Sequence, residues 1–187
     1  MTWRSAGTGG RPPGTPASVA VVIGNPKPRS RTYQAAHLVA ERLAGRPADL
    51  SVDLADLGAA LLDWSDSGVT DLVEAIAASD LAVFASPTFK ASYTGLLKLF
   101  IDRIGGGALA GVVGVPVMLG GHWQHALAPE LLLKPVLVEI GATCPTRGLF
   151  LLETEYSGGP TLDGWLDRAR PQVLAAASGL ARGSDLV

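Results

Sequence analysis

A turn rich in hydrogen-bond donors follows the first apolar run of the chain. Residues 21–32 read VVIGNPKPRSRT, in which the apolar stretch ends at a glycine and two prolines stiffen the turn after it. A helix that begins near Thr32 would add free backbone N–H groups and the positive end of its dipole, which is the chemistry of phosphate binding. The alternative is a solvated turn in which a hydroxyl group merely caps the helix. The cations and hydroxyl residues concerned are Lys27, Arg29, Ser30, Arg31 and Thr32.

A second unusual loop, residues 85–95, reads ASPTFKASYTG. Pro87 stiffens this turn, and Phe89 places an aromatic ring just past a predicted strand end, where a core residue is not expected. Thr88 and Lys90 offer hydrogen-bond donors beside it. A flat, partly apolar heterocycle with carbonyl groups on its rim would fit such a loop. The alternative is a connector in which Phe89 packs beneath the loop and Lys90 is solvated.

Apolar strand-length runs alternate with helical patterns along the chain, which predicts a doubly wound α/β domain. The runs are apolar on both faces, as in a parallel sheet covered on two sides. Five strands favour the flavodoxin-like order 2-1-3-4-5, whose ligand site lies between the first and third strands. Both donor-rich loops follow those strands. The predicted strands are 18–23, 50–54, 81–85, 113–119 and 148–152, and the predicted helices are 32–43, 69–78, 92–104, 125–140 and 162–180.

Three segments resemble the NADPH-dependent FMN reductase family. GNPKPRSRT resembles the family's G-S-P-R-x-x-S-x-[ST] loop, and SPTFKASYTGLLK resembles its [TS]-P-x-[YF]-x-x-[SG]-x-[ST]-G-x-[LM]-K segment. LGGHWQHALAPELLLKPVL is similar to a third loop and helix in one branch, the flavin reductases of two-component alkanesulfonate monooxygenase systems. The resemblance spans roughly residues 19–152, and its second motif is the most specific. Phosphate motifs of the P-loop and Rossmann type do not occur in the chain.

The resemblance implies a flavodoxin-like fold with FMN as cofactor or substrate and NAD(P)H as reductant. The nicotinamide would pass a hydride to N5 of the flavin, a reaction for which no side chain is predicted as acid or base. By position, residues around the FMN phosphate would be Asn25, Lys27, Ser30, Arg31 and Thr32. Residues along the isoalloxazine would be Pro87, Thr88, Phe89 and Lys90, with Gly120, Gly121 and His122 approaching its other side.

The chain departs from the family pattern at three places. Asn25 replaces the usual Ser and Lys27 the usual Arg; lysine cannot form the bidentate guanidinium contact, so a lower phosphate affinity is expected. Some members of the alkanesulfonate branch carry an aromatic residue in the fourth helix, linked to a bulge and to flavin transfer. This chain has Leu131 and Leu132 in the corresponding stretch.

The predicted function is therefore that of an NAD(P)H-dependent FMN reductase, which would supply reduced FMN to a flavin-dependent monooxygenase. The same flavin could instead reduce a quinone, an azo dye or a metal oxyanion. A different class is a flavodoxin-like electron-transfer module without pyridine-nucleotide activity. A formal net charge of -2 disfavours that module, because small carriers dock through strongly charged faces. The sequence leaves open NADH against NADPH.

Composition limits the other possibilities. The net charge of -2 gives no field for nucleic acid or an anionic membrane, and no apolar run reaches membrane-spanning length. One cysteine, Cys144, excludes an internal disulfide framework and fits a reducing cytoplasm. His122 and His125 lack a nearby carboxylate or thiol, so no metal site is expected. We expect a disordered leader at 1–17, one domain at 18–180 and a frayed end at 181–187.

The segment 125–140 is apolar nearly all round. A helix on the surface of a monomer should show a polar face, so this segment needs a cover. We expect a homodimer or homotetramer that uses this segment together with the helix at 92–104. Pro135 should kink or divide the segment.

Overall fold

The computed structural model describes residues 17–183 of the chain. Five parallel strands form one sheet at its centre. Every residue of the first, third and fourth strands is buried, which explains why these runs are apolar on both faces. The strand order is 2-1-3-4-5, so the predicted flavodoxin-like topology is confirmed. The strands are β1 (Val19–Ile23), β2 (Leu50–Asp53), β3 (Leu81–Pro87), β4 (Val113–Gly120) and β5 (Leu149–Leu152).

Helices cover both faces of this sheet. Three of them have an N-cap residue whose side chain accepts a hydrogen bond from the backbone N–H three positions later. These N-cap residues are Ser30, Asp66 and Thr94. The helices are α1 (Arg31–Ala44), α2 (Ser67–Ala77), α3 (Gly95–Ile101), α4 (Lys134–Glu139) and α5 (Pro160–Gly183). Short 3₁₀ turns span Leu54–Asp56, Gly58–Leu62 and Trp123–His125, and a π-helical turn spans Pro129–Leu133.

The core has two layers, one on each face of the sheet. Alternate residues of β1 divide between them: Val21 and Ile23 pack with α1 and α5, whereas Ala20 and Val22 face the side covered by α2, α3 and α4. This alternation is the period-two geometry of a strand. It leaves the carboxyl ends of the strands, with the loops that follow them, as the place where polar groups can gather.

Two helices differ from their sequence predictions. The predicted helix 92–104 is shorter, since α3 begins after its N-cap Thr94 and ends at Ile101, ahead of the three glycines at 105–107. The predicted helix 125–140 runs without a break from the π-helical turn into α4, so the helix widens ahead of Pro135 rather than being divided by it. Proline has no N–H and its ring clashes with the carbonyl group four residues earlier, so a wider turn is favoured there. In that turn, Lys134 N–H donates to the carbonyl group of Pro129, five residues back.

The predicted ends of the domain lie largely outside the described residues. The leader at 1–17 is represented only by its last residue, and α5 continues through Gly183, past the predicted domain end at 180. Residues 184–187 are not among those described. Within residues 17–183, no helix is long and apolar enough to cross a membrane.

Candidate functional site

The loops after β1 and β3 are joined at Gly24. Its N–H donates to the Ala85 carbonyl group at 2.8 Å, and its own carbonyl oxygen accepts the Thr94 hydroxyl at 2.5 Å. A Cβ atom at position 24 would lie 2.5 Å from Cβ of Leu97, so only glycine allows α3 to approach this closely. The two predicted loops are therefore side by side at the carboxyl edge of the sheet, as the strand order requires.

Asn25 organises the first loop through both ends of its side-chain amide. Its Oδ1 accepts the backbone N–H of Lys27 at 2.9 Å, and its Nδ2 donates to Oγ1 of Thr32 at 3.0 Å. The first of these contacts is an Asx turn, which replaces a backbone turn. The side chain thus holds the loop against the first turn of α1.

The N-terminus of α1 presents free backbone donors. Ser30 is the N-cap, and its Oγ accepts the Tyr33 N–H at 3.3 Å. Within residues 17–183, the N–H groups of Arg31 and Thr32 donate no hydrogen bond. Free N–H groups at the positive end of a helix dipole form a site for an anion. Both Ser30 and Thr32 are buried, so they shape this turn from within.

The three cations of the loop differ in their partners. Arg29 is held by carboxylates: its N–H and Nη1 contact Oδ2 of Asp53 at 3.0 and 3.1 Å, and Nη1 lies 3.1 Å from Oδ2 of Asp56. The negative charge of Asp56 raises the pKa of Arg29, with smaller contributions from Tyr33 and Asp53. Arg29 also has a positive φ of 51°. Its guanidinium group is therefore engaged by carboxylates of the protein itself.

Arg31 and Lys27 are the other two cations of the loop. Nη1 of Arg31 lies 3.2 Å from Oε2 of Glu153, the residue that follows β5. Among the described residues the Lys27 side chain has no ion pair or hydrogen bond, and it is exposed. Of the three cations predicted for this loop, Lys27 therefore has no partner among the described residues. Arg31 has one exposed carboxylate partner, and Arg29 has two carboxylate partners.

The second loop is a tight two-residue turn. The N–H of Phe89 donates to the Ser92 carbonyl group at 2.8 Å, and Ser92 N–H donates back at 3.1 Å. The two central residues, Lys90 and Ala91, have φ angles of 51° and 67°. A turn with positive φ at both positions favours Asn and Gly, so each of these residues costs about 1–2 kcal/mol. Strain of this kind is concentrated at ligand sites, and Phe89 at the start of this turn is 52% exposed.

Thr88 lies between the end of β3 and this turn. Its N–H donates to the Leu119 carbonyl group at 2.6 Å, which fixes the loop to β4. Its Oγ1 is buried and has no hydrogen-bond partner among the described residues. A Cβ atom at Gly120 would lie 3.2 Å from that oxygen and 2.8 Å from the Phe150 ring, so glycine is required for the strands to close here.

The third loop begins at Gly120 and carries an exposed aromatic ring. Gly121 and His122 are exposed, and His122 precedes the 3₁₀ turn that holds Trp123. The Trp123 ring is 50% exposed, and its centroid lies 5.7 Å from that of Phe150 at an angle of 50°. Trp123 is not among the predicted site residues, although an aromatic residue just past a strand end was the signal used for Phe89.

A cleft of about 250 Å³ brings the first two loops together. Five predicted phosphate-loop residues and two predicted ring-side residues line it, namely Asn25, Lys27, Ser30, Arg31, Thr32, Pro87 and Phe89. Thr88, Lys90, Gly120, Gly121 and His122 lie outside this lining. Four further residues line the cleft but are not among the predicted FMN contacts, namely Arg29, Gln34, Leu119 and Glu153. Glu153 could have been found, because it follows a strand whose carboxyl end must lie at the same edge.

Two larger clefts lack comparable chemistry. One of about 480 Å³ lies between α1 and α5, where Arg42 pairs with Asp163 at 2.8 Å and Arg170 donates to the Leu43 carbonyl group at 3.0 Å. The other, of about 460 Å³, separates α3 from α4 and is lined mainly by apolar side chains. Within residues 17–183, no three His, Cys, Asp or Glu side chains cluster as metal ligands would.

Comparison with known proteins identifies relatives of the same chemistry. An NADH-dependent FMN reductase, SfnF, of Pseudomonas putida is 34% identical over 140 residues, which are 71% of this chain and 75% of the relative. An FMN reductase (NADPH) of Pseudomonas aeruginosa is 30% identical over 76% of this chain and 80% of its own. The apo form of an NADH:FMN oxidoreductase, EMOB, superposes with a TM-score of 0.72 and 28% identity over 89% of each chain.

The strand order and the matching family together define a flavodoxin-like oxidoreductase that uses FMN and NAD(P)H. The family described as NADPH-dependent FMN reductase matches residues 17–157. This chain belongs to that family, and the predicted resemblance is confirmed.

The residues present fit FMN. The free N–H groups at the start of α1 and the exposed Lys27 suit a phosphate group. The exposed rings of Phe89 and Trp123 suit a flat heterocycle, and the unpartnered Thr88 hydroxyl lies between the loops that carry them. These features belong to three loops that the sheet holds at one edge.

Proposed function

We propose that the loop after β1 binds the phosphate of FMN and that the loops after β3 and β4 bind its ring. The observation that carries this assignment is the common cleft, in which Lys27, Arg31 and the start of α1 face Pro87 and Phe89. An anion site and an apolar surface are thus within one small volume, as a flavin mononucleotide requires. Asn25 contributes by holding the loop in shape.

FMN would be an exchangeable substrate rather than a permanently held cofactor. The cleft of about 250 Å³ leaves out five of the predicted flavin contacts, so it would enclose only part of a flavin mononucleotide. Part of the flavin would therefore remain exposed, which leaves room for the nicotinamide and for release. Two of the loop's three cations are already paired with carboxylates, which further limits the attraction for phosphate. A flavin-dependent monooxygenase is the partner that we propose for the released flavin.

The protein's part in the reaction is to bind and to orient. Bound FMN supplies the acceptor for a hydride from NAD(P)H. The strained turn at Lys90 and Ala91 keeps the Phe89 ring at the rim of the cleft. Trp123 adds a second exposed ring on the neighbouring loop, and His122 lies beside it. None of these side chains needs to donate or accept a proton for hydride transfer.

Oxidation of NADH and of NADPH, each followed with and without added FMN, tests the proposal. An FMN reductase that exchanges its flavin should oxidise the pyridine nucleotide only when free FMN is supplied, and the rate should saturate with FMN. Activity on quinones or azo dyes with retained flavin and no need for added FMN would favour the quinone- and azo-reductase alternative. Flavin binding without any nucleotide oxidation would indicate the electron-transfer module.

We also propose that the enzyme is a homodimer or homotetramer joined through α3 and α4. Five large apolar side chains on this side are 39–61% exposed, namely Leu99, Leu127, Leu131, Leu132 and Val138. The 460 Å³ cleft between α3 and α4 lies on the same side and would be filled by a second copy. An apolar surface of this extent is typical of an interface.

A cytoplasmic location is proposed on the chemistry of the single cysteine. Cys144 is half-buried, and burial raises its pKa to about 11, so it is a poor nucleophile. A chain without a possible internal disulfide suits a reducing compartment.

A further inference from the structure

Glu153 places a carboxylate in the cleft where the FMN phosphate would bind. Its Oε2 lies 3.2 Å from Nη1 of Arg31, the first residue of α1, and both side chains line the cleft together with Lys27. Each is about half exposed, at 45% for Glu153 and 56% for Arg31. The carboxylate therefore engages the guanidinium group that the proposed function assigns to the phosphate.

The backbone holds Glu153 close to this position. Its N–H donates to the carbonyl group of Gly120 at 3.0 Å, which extends the pairing of β5 with β4 by one residue. The side chain can rotate away from Arg31, but the Cα cannot leave the rim of the cleft. A ligand that displaces the carboxylate from Arg31 would still have the negative charge of Glu153 nearby.

The loop as a whole is electrically balanced. Arg29 is paired with Asp53 and Asp56, and Arg31 is paired with Glu153. With the unpaired Lys27, the loop has three cations, and three carboxylates lie beside them. A phosphate dianion approaching this loop meets little net positive charge, and its best available guanidinium group is already engaged.

We propose that Glu153 is a specificity-determining residue that weakens FMN binding by competing with the phosphate for Arg31. This inference rests on the proposed function, in which the phosphate binds at the start of α1. Exposed ion pairs are weak, so the phosphate can displace the carboxylate. The displaced carboxylate then repels the dianion, which hastens dissociation. An enzyme that delivers reduced FMN requires such a rapidly exchanging flavin.

The substitution Glu153→Gln tests this competition, because it removes the charge and keeps the side chain's shape. The dissociation constant for FMN, measured by flavin fluorescence, should fall about three- to fivefold, and FMN dissociation should slow by a similar factor in stopped flow. Riboflavin, which lacks the phosphate, should change by less than about twofold. Circular dichroism checks that the variant is folded.

Asp163→Asn is the matched control. Asp163 pairs with Arg42 at 2.8 Å near the other end of α1, so the net charge changes equally and another surface ion pair is removed. FMN affinity should stay within about twofold of the wild type. If both variants tighten FMN equally, the effect is one of net charge and the inference is wrong.

A double-mutant cycle with Arg31→Ala separates competition from simple repulsion. The gain from Glu153→Gln should become smaller when Arg31 is absent. The inference is overturned if Glu153→Gln leaves FMN affinity unchanged, if it tightens riboflavin as much as FMN, or if its gain in FMN affinity is as large without Arg31 as with it. Each of these outcomes leaves the proposed function intact. If the wild type binds FMN no better than riboflavin, or Arg31→Ala alone has no effect, the phosphate assignment itself fails and the inference falls with it.

Discussion

The hydroxyl group of Thr94 donates to the carbonyl oxygen of Gly24 at 2.5 Å and at the same time accepts the N–H of Leu97 at 3.1 Å. One buried side chain thus caps α3 and joins the loop after β3 to the loop after β1. The position of the candidate phosphate loop relative to the candidate ring loop depends on this contact. Its strength is therefore measurable both as stability and as ligand affinity.

Thr94→Val should lower the free energy of unfolding by about 1–3 kcal/mol, because it removes an N-cap and leaves the Gly24 carbonyl group without its donor. FMN affinity should fall as well, since the two loops lose their link. Urea denaturation and FMN titration measure the two effects. Thr94→Ser keeps the hydroxyl group and should retain most of both. A Thr94→Val variant as stable as the wild type would contradict the role given to this contact.

The phosphate assignment predicts that Lys27→Ala combined with Arg31→Ala weakens FMN far more than riboflavin. Removing each charge-assisted hydrogen bond should cost about tenfold in affinity or more. The control variant, Arg42→Ala combined with Lys98→Ala, removes two cations that pair with Asp163 and Asp102 elsewhere on the surface. It should leave both affinities within about twofold. Equal decreases for FMN and riboflavin in the Lys27 and Arg31 variant would remove the assignment.

The proposed interface predicts an oligomer at micromolar concentration in light scattering. Leu131 is 61% exposed in the π-helical turn, and Leu131→Glu should shift the mass towards the monomer because a charge cannot be buried there without a partner. Leu62→Glu serves as the control, since Leu62 is 65% exposed but lies in the 3₁₀ turn after β2. A monomeric wild type, or equal effects of the two substitutions, would refute an interface at α3 and α4.

The sheet could be predicted from sequence because its signals are local and consistent. Five short apolar runs and the helices between them admit few right-handed arrangements, and the predicted order is the observed one. Helix ends were less predictable where a side chain decides them. The helix at 92–104 starts later because Thr94 caps it from within, and the helix at 125–140 widens into a π-helical turn because Pro135 cannot join the normal ladder.

The loops that form the candidate site could be predicted from the sequence, but the ion pairs between its side chains could not. Strand order brings Lys27, Arg31 and Phe89 to one edge, and the structure has them in one cleft. The ion pairs of Arg29 with Asp53 and of Arg31 with Glu153 join residues that are far apart in sequence, so sequence patterns do not predict them. Trp123 was missed because the third loop was selected by family resemblance rather than by its aromatic residue. The individual roles toward FMN stay predictions.

Burial of Cys144 predicts a slow thiol. Its pKa is raised to about 11, so at pH 8 it should carry at least about a hundredfold less thiolate than an ordinary cysteine. Alkylation of the native enzyme should be half-maximal near pH 11 and become fast at pH 8 only in guanidinium. Because the unfolded thiol ionises first, the free energy of unfolding should decrease from about pH 8.5 to pH 11. Cys144→Ala should lose that decrease, and half-maximal native alkylation near pH 8.5 would contradict the prediction.

The turn after β3 supports the ring assignment, and Phe89→Ala tests it most directly. The ring is 52% exposed and supports no core, so the variant should melt as the wild type does while its FMN dissociation constant rises severalfold. Ala91→Gly is the control, because glycine adopts the φ of 67° without strain and should preserve the turn and the affinity.

Thr88→Ala or Lys90→Ala should each cost about tenfold in flavin affinity if its group contacts the ring. Pro87→Gly should cost more affinity by loosening the turn, and some stability too, because Pro87 is the buried last residue of β3. Stopped-flow bleaching of the flavin after mixing with NADH or NADPH, with circular dichroism on the same samples, measures these effects. If folded Phe89→Ala and Pro87→Gly variants bind FMN and are reduced at the wild-type rate, the turn is only a connector. The flavin ring must then lie elsewhere along the carboxyl edge of the sheet.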